Sequence, residues 1–154
     1  MKFLIKNKVN YVTYNTLYYE TTNEPGSFYS EYRKTDQEIV FGNLAISFMD
    51  GYLLRVTGYC PLTYFDEGYE QLSYETIDGC VYLEMEDYGY HPSKEIIDYS
   101  DLTYVKNTKL NKFYIHKSCL QNIEKSKFVK LSENIVVIMK DSEILGFVLS
   151  PKII

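Results

Sequence analysis

The sequence is poor in the residues that most enzyme chemistry and metal binding require. Histidine occurs only twice, at His91 and His116, and the three cysteines, Cys60, Cys80 and Cys119, are widely spaced. No pair has the short spacing of a zinc motif, and no family signature surrounds either histidine, so we expect no metal site, no cofactor and no cysteine nucleophile. An odd number of cysteines cannot complete a disulfide framework, which favours free thiols and a cytoplasmic location.

Motifs and segments of several other classes are also absent. The eight glycines are scattered, without the spacing of a dinucleotide-binding or P-loop motif. The N-terminal apolar run at residues 3–5 is too short for a secretory signal, and no apolar run approaches the length of a membrane span. No Pro-, Gly- or Ser-rich tract interrupts the 154 residues, so we expect one globular domain over residues 1–154.

What is abundant is tyrosine, which occurs seventeen times in a chain without tryptophan. Many of these tyrosines lie in an acidic stretch, residues 59–104, which holds eleven carboxylates against one cation and so has a formal charge of −10. Residues 106–154 hold nine lysines against four carboxylates and have a charge of +5. The charge is therefore segregated along the chain.

Two interpretations of the acidic stretch remain open. It is either a solvated surface in a protein whose tyrosines reflect AT-rich codon usage, or a binding surface for a basic partner. Negative potential speeds encounter with a cationic protein, and tyrosines supply rigid contact area. The second interpretation predicts a set of partner-binding residues: Glu75, Tyr82, Glu84, Glu86, Asp87, Tyr88 and Tyr90.

The alternation of apolar and polar residues indicates a β-rich protein. Residues 3–19 favour one or two strands. Residues 62–70 are compatible with either a short helix or a loop. Residues 38–57 predict a hairpin. A three-residue loop at Met49-Asp50-Gly51 places Ile46 opposite Leu54, whereas a two-residue Asp50-Gly51 loop would place Ile46 opposite Arg55, so we expect the longer loop.

A second hairpin is expected over residues 72–86, because Asp78-Gly79 is a strong two-residue turn signal. This register pairs Thr76 with Val81 and Tyr74 with Leu83 on a buried face. Glu84 and its neighbours then lie on the opposite, exposed face. That face would be polar, acidic and aromatic. It carries Glu75, Tyr82, Glu84 and Glu86, and the remaining predicted binding residues lie in the loop expected over residues 87–92.

The C-terminal third predicts strands at residues 102–106, 112–116, 135–139 and 144–149. The last two are apolar on both faces, so we expect them at the centre of a sheet that is covered on both sides. Ser118 and Gln121 fit a capping box for a short helix over residues 119–126. The expected fold class is α+β and β-rich: a mainly antiparallel sheet built from hairpins, with one or two short helices.

In size, acidity and strand content the chain is similar to toxin-immunity proteins and phage anti-defence proteins, although no motif carries the likeness. This similarity implies a non-enzymatic inhibitor that covers the basic surface of a nuclease or another nucleic-acid-processing enzyme. The alternative is a small-ligand domain in which tyrosines line a pocket for a carbohydrate or a nucleotide. Because the chain is acidic overall, we expect no direct binding to nucleic acid, and we expect no membrane partner.

Overall fold

The computed structural model describes residues 2–9, 14–22, 25–70, 72–84, 101–117 and 120–154, together with the backbone of residues 95–97. The described strands form two sheets. Sheet A comprises β1 (Lys2–Lys6), β2 (Tyr18–Glu20), β3 (Ser27–Tyr29), β4 (Gln37–Phe41), β5 (Leu44–Met49), β6 (Tyr52–Tyr59), β9 (Cys80–Glu84), β10 (Glu95–Ile97) and β16 (Lys152–Ile153). Sheet B comprises β7 (Asp66–Glu67), β8 (Thr76–Asp78), β11 (Thr103–Asn107), β12 (Lys112–His116), β13 (Lys127–Lys130), β14 (Ile135–Lys140) and β15 (Glu143–Leu149).

The two sheets are mixed. Sheet A has the order β10-β4-β5-β6-β3-β2-β16, with β9 joining β6 to β1, and sheet B has the order β7-β11-β12-β15-β14-β13-β8. Neighbours at the centre of each sheet are antiparallel, whereas four pairs at the edges are parallel: β10 with β4, β16 with β2, β7 with β11 and β8 with β13. The β-rich class is therefore confirmed, and the expectation of a mainly antiparallel sheet holds in part: most strand pairs are antiparallel, but they form two mixed sheets rather than one.

The main core lies between the inner faces of the two sheets. It brings Phe41 of β4 against Phe147 of β15, with the rings edge to face and their centroids 5.3 Å apart. Burial of apolar side chains is the dominant favourable term in folding, at about 25 cal/mol per Å². Fully buried members of this core include Phe28, Phe41, Phe48, Leu53, Val81, Leu83, Phe113, Ile115, Val137, Phe147 and Leu149.

The outer face of sheet B is apolar as well, and it is also covered. Tyr69, Leu72 and Tyr74, which lie between the β7 and β8 edges in the chain, pack on this face, and the short helix α1 (Leu120–Glu124) contributes the buried Ile123. The prediction that residues 135–139 and 144–149 form central strands covered on both sides is confirmed. The apolar side chains of this second cluster are Val105, Tyr114, Ile123, Phe128, Val136, Ile138, Leu145 and Val148.

The β5–β6 hairpin is confirmed, but its expected three-residue loop is wrong. Asp50 and Gly51, with φ angles of 50° and 85°, form a two-residue turn, and Met49 pairs with Tyr52. A register shift then leaves Leu54 as an extra residue, after which Ile46 pairs with Val56. The β-bulge moves the register by one residue, so it restores the apolar face that the two-residue turn alone would have lost.

The expected hairpin over residues 72–86 is also wrong in its pairing. Thr76–Asp78 forms β8, which pairs in parallel with β13 of sheet B, whereas Cys80–Glu84 forms β9, which pairs with β1 of sheet A. Gly79 is the junction: its amide lies 3.4 Å from the Lys130 carbonyl, and a Cβ there would meet the Lys6 carbonyl oxygen. Val81 and Leu83 are buried as expected, Leu72 and Tyr74 are half-buried, and Thr76 is exposed.

The remaining expectations concern local elements. Strands are present close to residues 102–106 and 112–116, as β11 and β12. Residues 62–70 hold a single 3-10 turn at Leu62–Tyr64, followed by β7. The helix α1 is shorter than expected, and the capping residue Ser118 lies outside the described residues. Across the described residues, no helix has the length and apolar character that a membrane crossing requires.

Two alanine substitutions in the segment that joins the sheets should lower the free energy of unfolding by unequal amounts. Leu83 is 1% exposed, so Leu83→Ala leaves a cavity and should lower the free energy of unfolding by about 2–5 kcal/mol. Ile77 is 45% exposed, so Ile77→Ala should change it by less than about 0.5 kcal/mol. Urea denaturation followed by circular dichroism measures both values, and equal losses would contradict the burial of β9.

Candidate functional site

The structure separates the residues that the sequence grouped into one binding face. Glu75 is exposed just before β8, at the edge of sheet B, whereas Tyr82 and Glu84 lie on β9 in sheet A. The hairpin register would have placed Glu75 opposite Tyr82. Tyr82 instead lies opposite Leu4 and Tyr52. The other four predicted residues lie outside the described residues: Glu86, Asp87, Tyr88 and Tyr90.

Lysines of β1 offset the negative charge around β9. Lys2 Nζ lies 3.6 Å from Glu84 Oε2, and Lys6 Nζ lies 3.7 Å from the centroid of the Tyr82 ring. Both contacts follow from the antiparallel register that pairs β1 with β9. Because exposed ion pairs contribute little to stability, their main effect here is on the local potential. The β9 face is therefore less acidic than its own residues suggest.

A different part of the acidic stretch presents both aromatic side chains and carboxylates. Tyr59, Leu62 and Tyr64 are 54%, 49% and 45% exposed, and the exposed Asp66 and Glu67 of β7 follow after the half-buried Phe65. We call these five residues the β6–β7 surface. These three large side chains lie within six residues of one another in the chain, whereas single exposed apolar residues are ordinary on a protein surface.

The loop that carries the β6–β7 surface is fixed to the sandwich. The Cys60 amide donates a hydrogen bond to the Gly26 carbonyl at 2.7 Å, and the Tyr19 hydroxyl donates one to the Cys60 carbonyl at 2.7 Å. The Phe65 ring packs in the core, with its centroid 5.0 Å from that of Phe113. A Cβ at position 26 would collide with Pro61, so the close packing of these two backbone segments requires glycine at position 26. The exposed side chains thus project from a backbone that is already ordered.

The carboxylates of the β6–β7 surface lie at the edge of sheet B. Asp66 and Glu67 pair in parallel with Val105 and Lys106 of β11. The Glu67 carboxylate accepts hydrogen bonds from the Thr108 amide, at 3.3 Å, and from the Thr108 hydroxyl. These bonds fix Glu67 in one orientation, while the Asp66 side chain stays exposed.

The histidine on the outer face of sheet B is buried in a structural contact. His116 is 1% exposed, its Nε2 lies 2.9 Å from the Tyr69 hydroxyl, and the two rings stack. The Asn107 side-chain amide lies 3.4 Å from the Tyr69 carbonyl, where Tyr69 has a φ of 58°. This contact holds Tyr69 against sheet B, and the imidazole is buried beneath it.

The described residues include two buried thiols and no cluster of metal-ligating side chains. Cys60 and Cys80 are free and buried, and burial raises the pKa of the Cys60 thiol to about 12. A thiol with such a pKa is not a nucleophile at neutral pH. Within the described ranges, no three His, Cys, Asp or Glu side chains converge as metal ligands would. Cys119, the thiol near the expected helix, lies outside those ranges.

Sequence reasoning missed the β6–β7 surface although the acidic stretch begins there. Tyr59, Leu62, Tyr64 and Phe65 fit neither the period of a strand nor that of a helix. The available signal was Pro61 after a strand, followed by a segment rich in aromatic and acidic residues. Nothing local shows which of these rings point inward, because the core partner of Phe65 lies far along the chain.

Removal of the Tyr19 hydroxyl should have opposite effects at neutral and at alkaline pH. Tyr19→Phe loses the bond to the Cys60 carbonyl, which should lower the free energy of unfolding by about 0.5–1.5 kcal/mol near pH 7. Burial raises the pKa of Tyr19 to about 12 in the folded protein, whereas the unfolded side chain ionises near pH 10. The wild type therefore loses stability as pH rises from about 10 to 12, and Tyr19→Phe should lose less.

Denaturation curves at pH 8, 10 and 12 test this expectation. Tyr32→Phe, at a ring that is 84% exposed, is the matched control and should behave as wild type. If the free energies of unfolding of Tyr19→Phe and wild type fell equally as the pH rose, burial would not be holding the Tyr19 hydroxyl protonated.

The Cys60 thiol should resist alkylation in the folded protein. In a Cys119→Ser background at pH 8, iodoacetamide should modify Cys60 far more slowly in native protein than in denatured protein, because little thiolate forms and the side chain is buried. Peptide mass spectrometry measures the rate at each cysteine. Equal native and denatured rates would place Cys60 at the surface.

Comparison with models of known protein families finds no match, and comparison with curated proteins finds no significant similarity. The contacts, burial and charges of the described residues therefore carry the inference of function.

Proposed function

We propose that this chain is a non-enzymatic protein-binding module that uses its β6–β7 surface to bind a basic partner. The observation that carries the proposal is the anchored loop that leaves Tyr59, Leu62 and Tyr64 about half exposed, shortly before the exposed Asp66 and Glu67 in the chain. Binding energy in protein interfaces concentrates in a few aromatic residues, and ordered backbones lose less entropy on binding.

The charge of the surface selects the class of partner. Asp66, Glu67 and the exposed Glu70 lie within five residues, and the whole chain carries a formal charge of −5. Such a surface attracts a basic protein over several ångströms and repels acidic ones. Glu75 and Glu84 are also exposed and add to the steering potential, although Lys2 offsets part of the charge at Glu84.

The partner that fits this chemistry is the basic nucleic-acid groove of a nuclease or related enzyme. Carboxylates on an ordered edge replace the phosphates that such a groove binds, and the aromatic side chains contact its apolar and backbone atoms. The activity is then stoichiometric inhibition, of the toxin-immunity or anti-defence type. We place this inhibitor in the cytoplasm, where the free thiols of Cys60 and Cys80 stay reduced.

Affinity capture from host lysate, followed by binding kinetics with the recovered protein, tests the proposal. Asp66→Lys with Glu67→Lys should slow association about tenfold at low salt, and the difference should shrink as salt rises. Tyr59→Ala with Tyr64→Ala should instead speed dissociation by about tenfold or more, since contact area is lost. Wild type should recover a basic protein with a one-to-one stoichiometry.

The matched control is Glu31→Lys with Glu124→Lys, which makes the same change in net charge at exposed positions outside the β6–β7 surface. It should keep the wild-type dissociation rate and most of the association rate. A further double variant, Glu75→Lys with Glu84→Lys, tests whether the partner binds the face predicted from the sequence instead of the β6–β7 surface. Loss of binding in that arm alone, or equal affinity in all variants, would overturn the proposed surface, and recovery of no basic partner would overturn the function.

A further inference from the structure

A half-open cavity of about 500 Å³ lies at the end of the sandwich where β14 turns into β15. One wall comes from β1 of sheet A, and the others come from β13, β14 and their turns in sheet B. The volume lies within the range of small-molecule binding pockets. Its lining residues are Ile5, Lys125, Lys127, Met139, Lys140, Asp141 and Ser142.

The strand register explains why lysines line this cavity. Lys127 pairs with Met139, and Met139 belongs to the core between the sheets, so this pair faces the gap at the open end of the sandwich. A register shift next to Met139 and the two-residue turn at Asp141-Ser142 then bring Lys140 to the rim. The Phe3 amide donates to the Ser142 carbonyl at 2.9 Å and holds β1 against this turn.

The described lining of the cavity has a net positive charge. It includes three lysines and one carboxylate, that of Asp141, so the formal charge of these residues is +2. Two other lysines of sheet B are balanced, since Lys117 pairs with Glu143 and Lys130 pairs with Glu133. In the part of the chain that the structure describes, none of the three cavity lysines makes an ion pair.

We infer that this cavity binds a small phosphate-bearing molecule of nucleotide size. Lysine ammonium groups are compact point charges that suit phosphate oxygens, and a phosphate monoester dianion balances a charge of +2. The volume greatly exceeds that of inorganic phosphate, so an organic group accompanies the phosphate. Ile5 and Met139 offer that group an apolar wall, and Ser142 and Asp141 offer partners for hydroxyl groups.

The same geometry argues against a nucleic-acid strand as the ligand. Proteins that hold DNA through its backbone make about six to ten phosphate contacts, whereas this cavity offers three cations. The rest of the chain is acidic and would repel a long polyanion. The ligand is therefore a small molecule that enters the cavity.

The cavity is distinct from the β6–β7 surface. The cavity lies at the Glu143 end of β15, whereas Glu67 contacts Thr108, in the turn that follows β11 near the Leu149 end. A seven-residue strand spans about 20 Å, so the two sites lie at opposite ends of sheet B. The inference is thus independent of the proposed binding of a basic protein.

Isothermal titration calorimetry of the full chain tests the inference, with AMP, ATP, adenosine, inorganic phosphate and a thymidine oligonucleotide as probes. AMP or ATP should bind, more weakly as salt rises, while adenosine should not bind detectably because it lacks phosphate. Lys127→Gln with Lys140→Gln should weaken nucleotide binding about tenfold or more.

The matched control is Lys109→Gln with Lys152→Gln, which removes the same charge at exposed lysines near the opposite end of sheet B. It should bind nucleotide within about twofold of wild type, and all variants should keep the wild-type melting temperature because the changed side chains are exposed. The inference is overturned if neither nucleotide binds, if adenosine binds as well as AMP, if only the oligonucleotide binds, or if both double variants lose affinity equally.

Discussion

The apolar character of both faces of sheet B is the constraint on which the rest of the structure depends. The inner faces of β14 and β15 pack against sheet A, and their outer faces would be exposed without a cover. Tyr69, Leu72 and Tyr74 supply this cover, since Tyr69 bonds to His116 of β12 and Tyr74 stacks on Phe128 of β13. Tyrosine suits this position because its ring covers apolar surface while its hydroxyl bonds to a polar partner or water. Part of the tyrosine enrichment is thereby explained by packing.

Sequence reasoning succeeded where the signal was local and failed where the pairing partner was distant. The β14–β15 hairpin follows from two apolar strands around Asp141-Ser142, and the β5–β6 hairpin from the strands around Asp50-Gly51. Asp78-Gly79 carries the same turn chemistry, yet no hairpin forms there, because Thr76–Asp78 finds its partner in β13, about fifty residues later. Turn propensity fixes how a chain can bend, whereas packing of the whole molecule decides which strands meet.

The candidate sites show the same limit for charge. The sequence located an acidic stretch, but the fold separates carboxylates of its described part among the β6–β7 surface, the β8 edge and a β9 face that Lys2 and Lys6 partly neutralise. It also gathers three lysines of the C-terminal third around one cavity, although they are spread over sixteen residues of sequence. The sequence gives the total charge of a segment. Strand register decides on which surfaces of the protein the positive and the negative side chains gather.

The junction at Gly79 has a consequence for how the molecule comes apart. Residues 76–84 are one segment whose first part is hydrogen-bonded into sheet B and whose second part is hydrogen-bonded into sheet A. Loss of either sheet removes the support for a strand of the other, so the sandwich unfolds as one cooperative unit rather than as two layers. Its assembly depends on contacts such as Phe3 with Leu83, which are distant in sequence. Topologies of this kind fold in about milliseconds to seconds rather than microseconds. The chain must lose the entropy of closing long loops before distant contacts form and stabilise it.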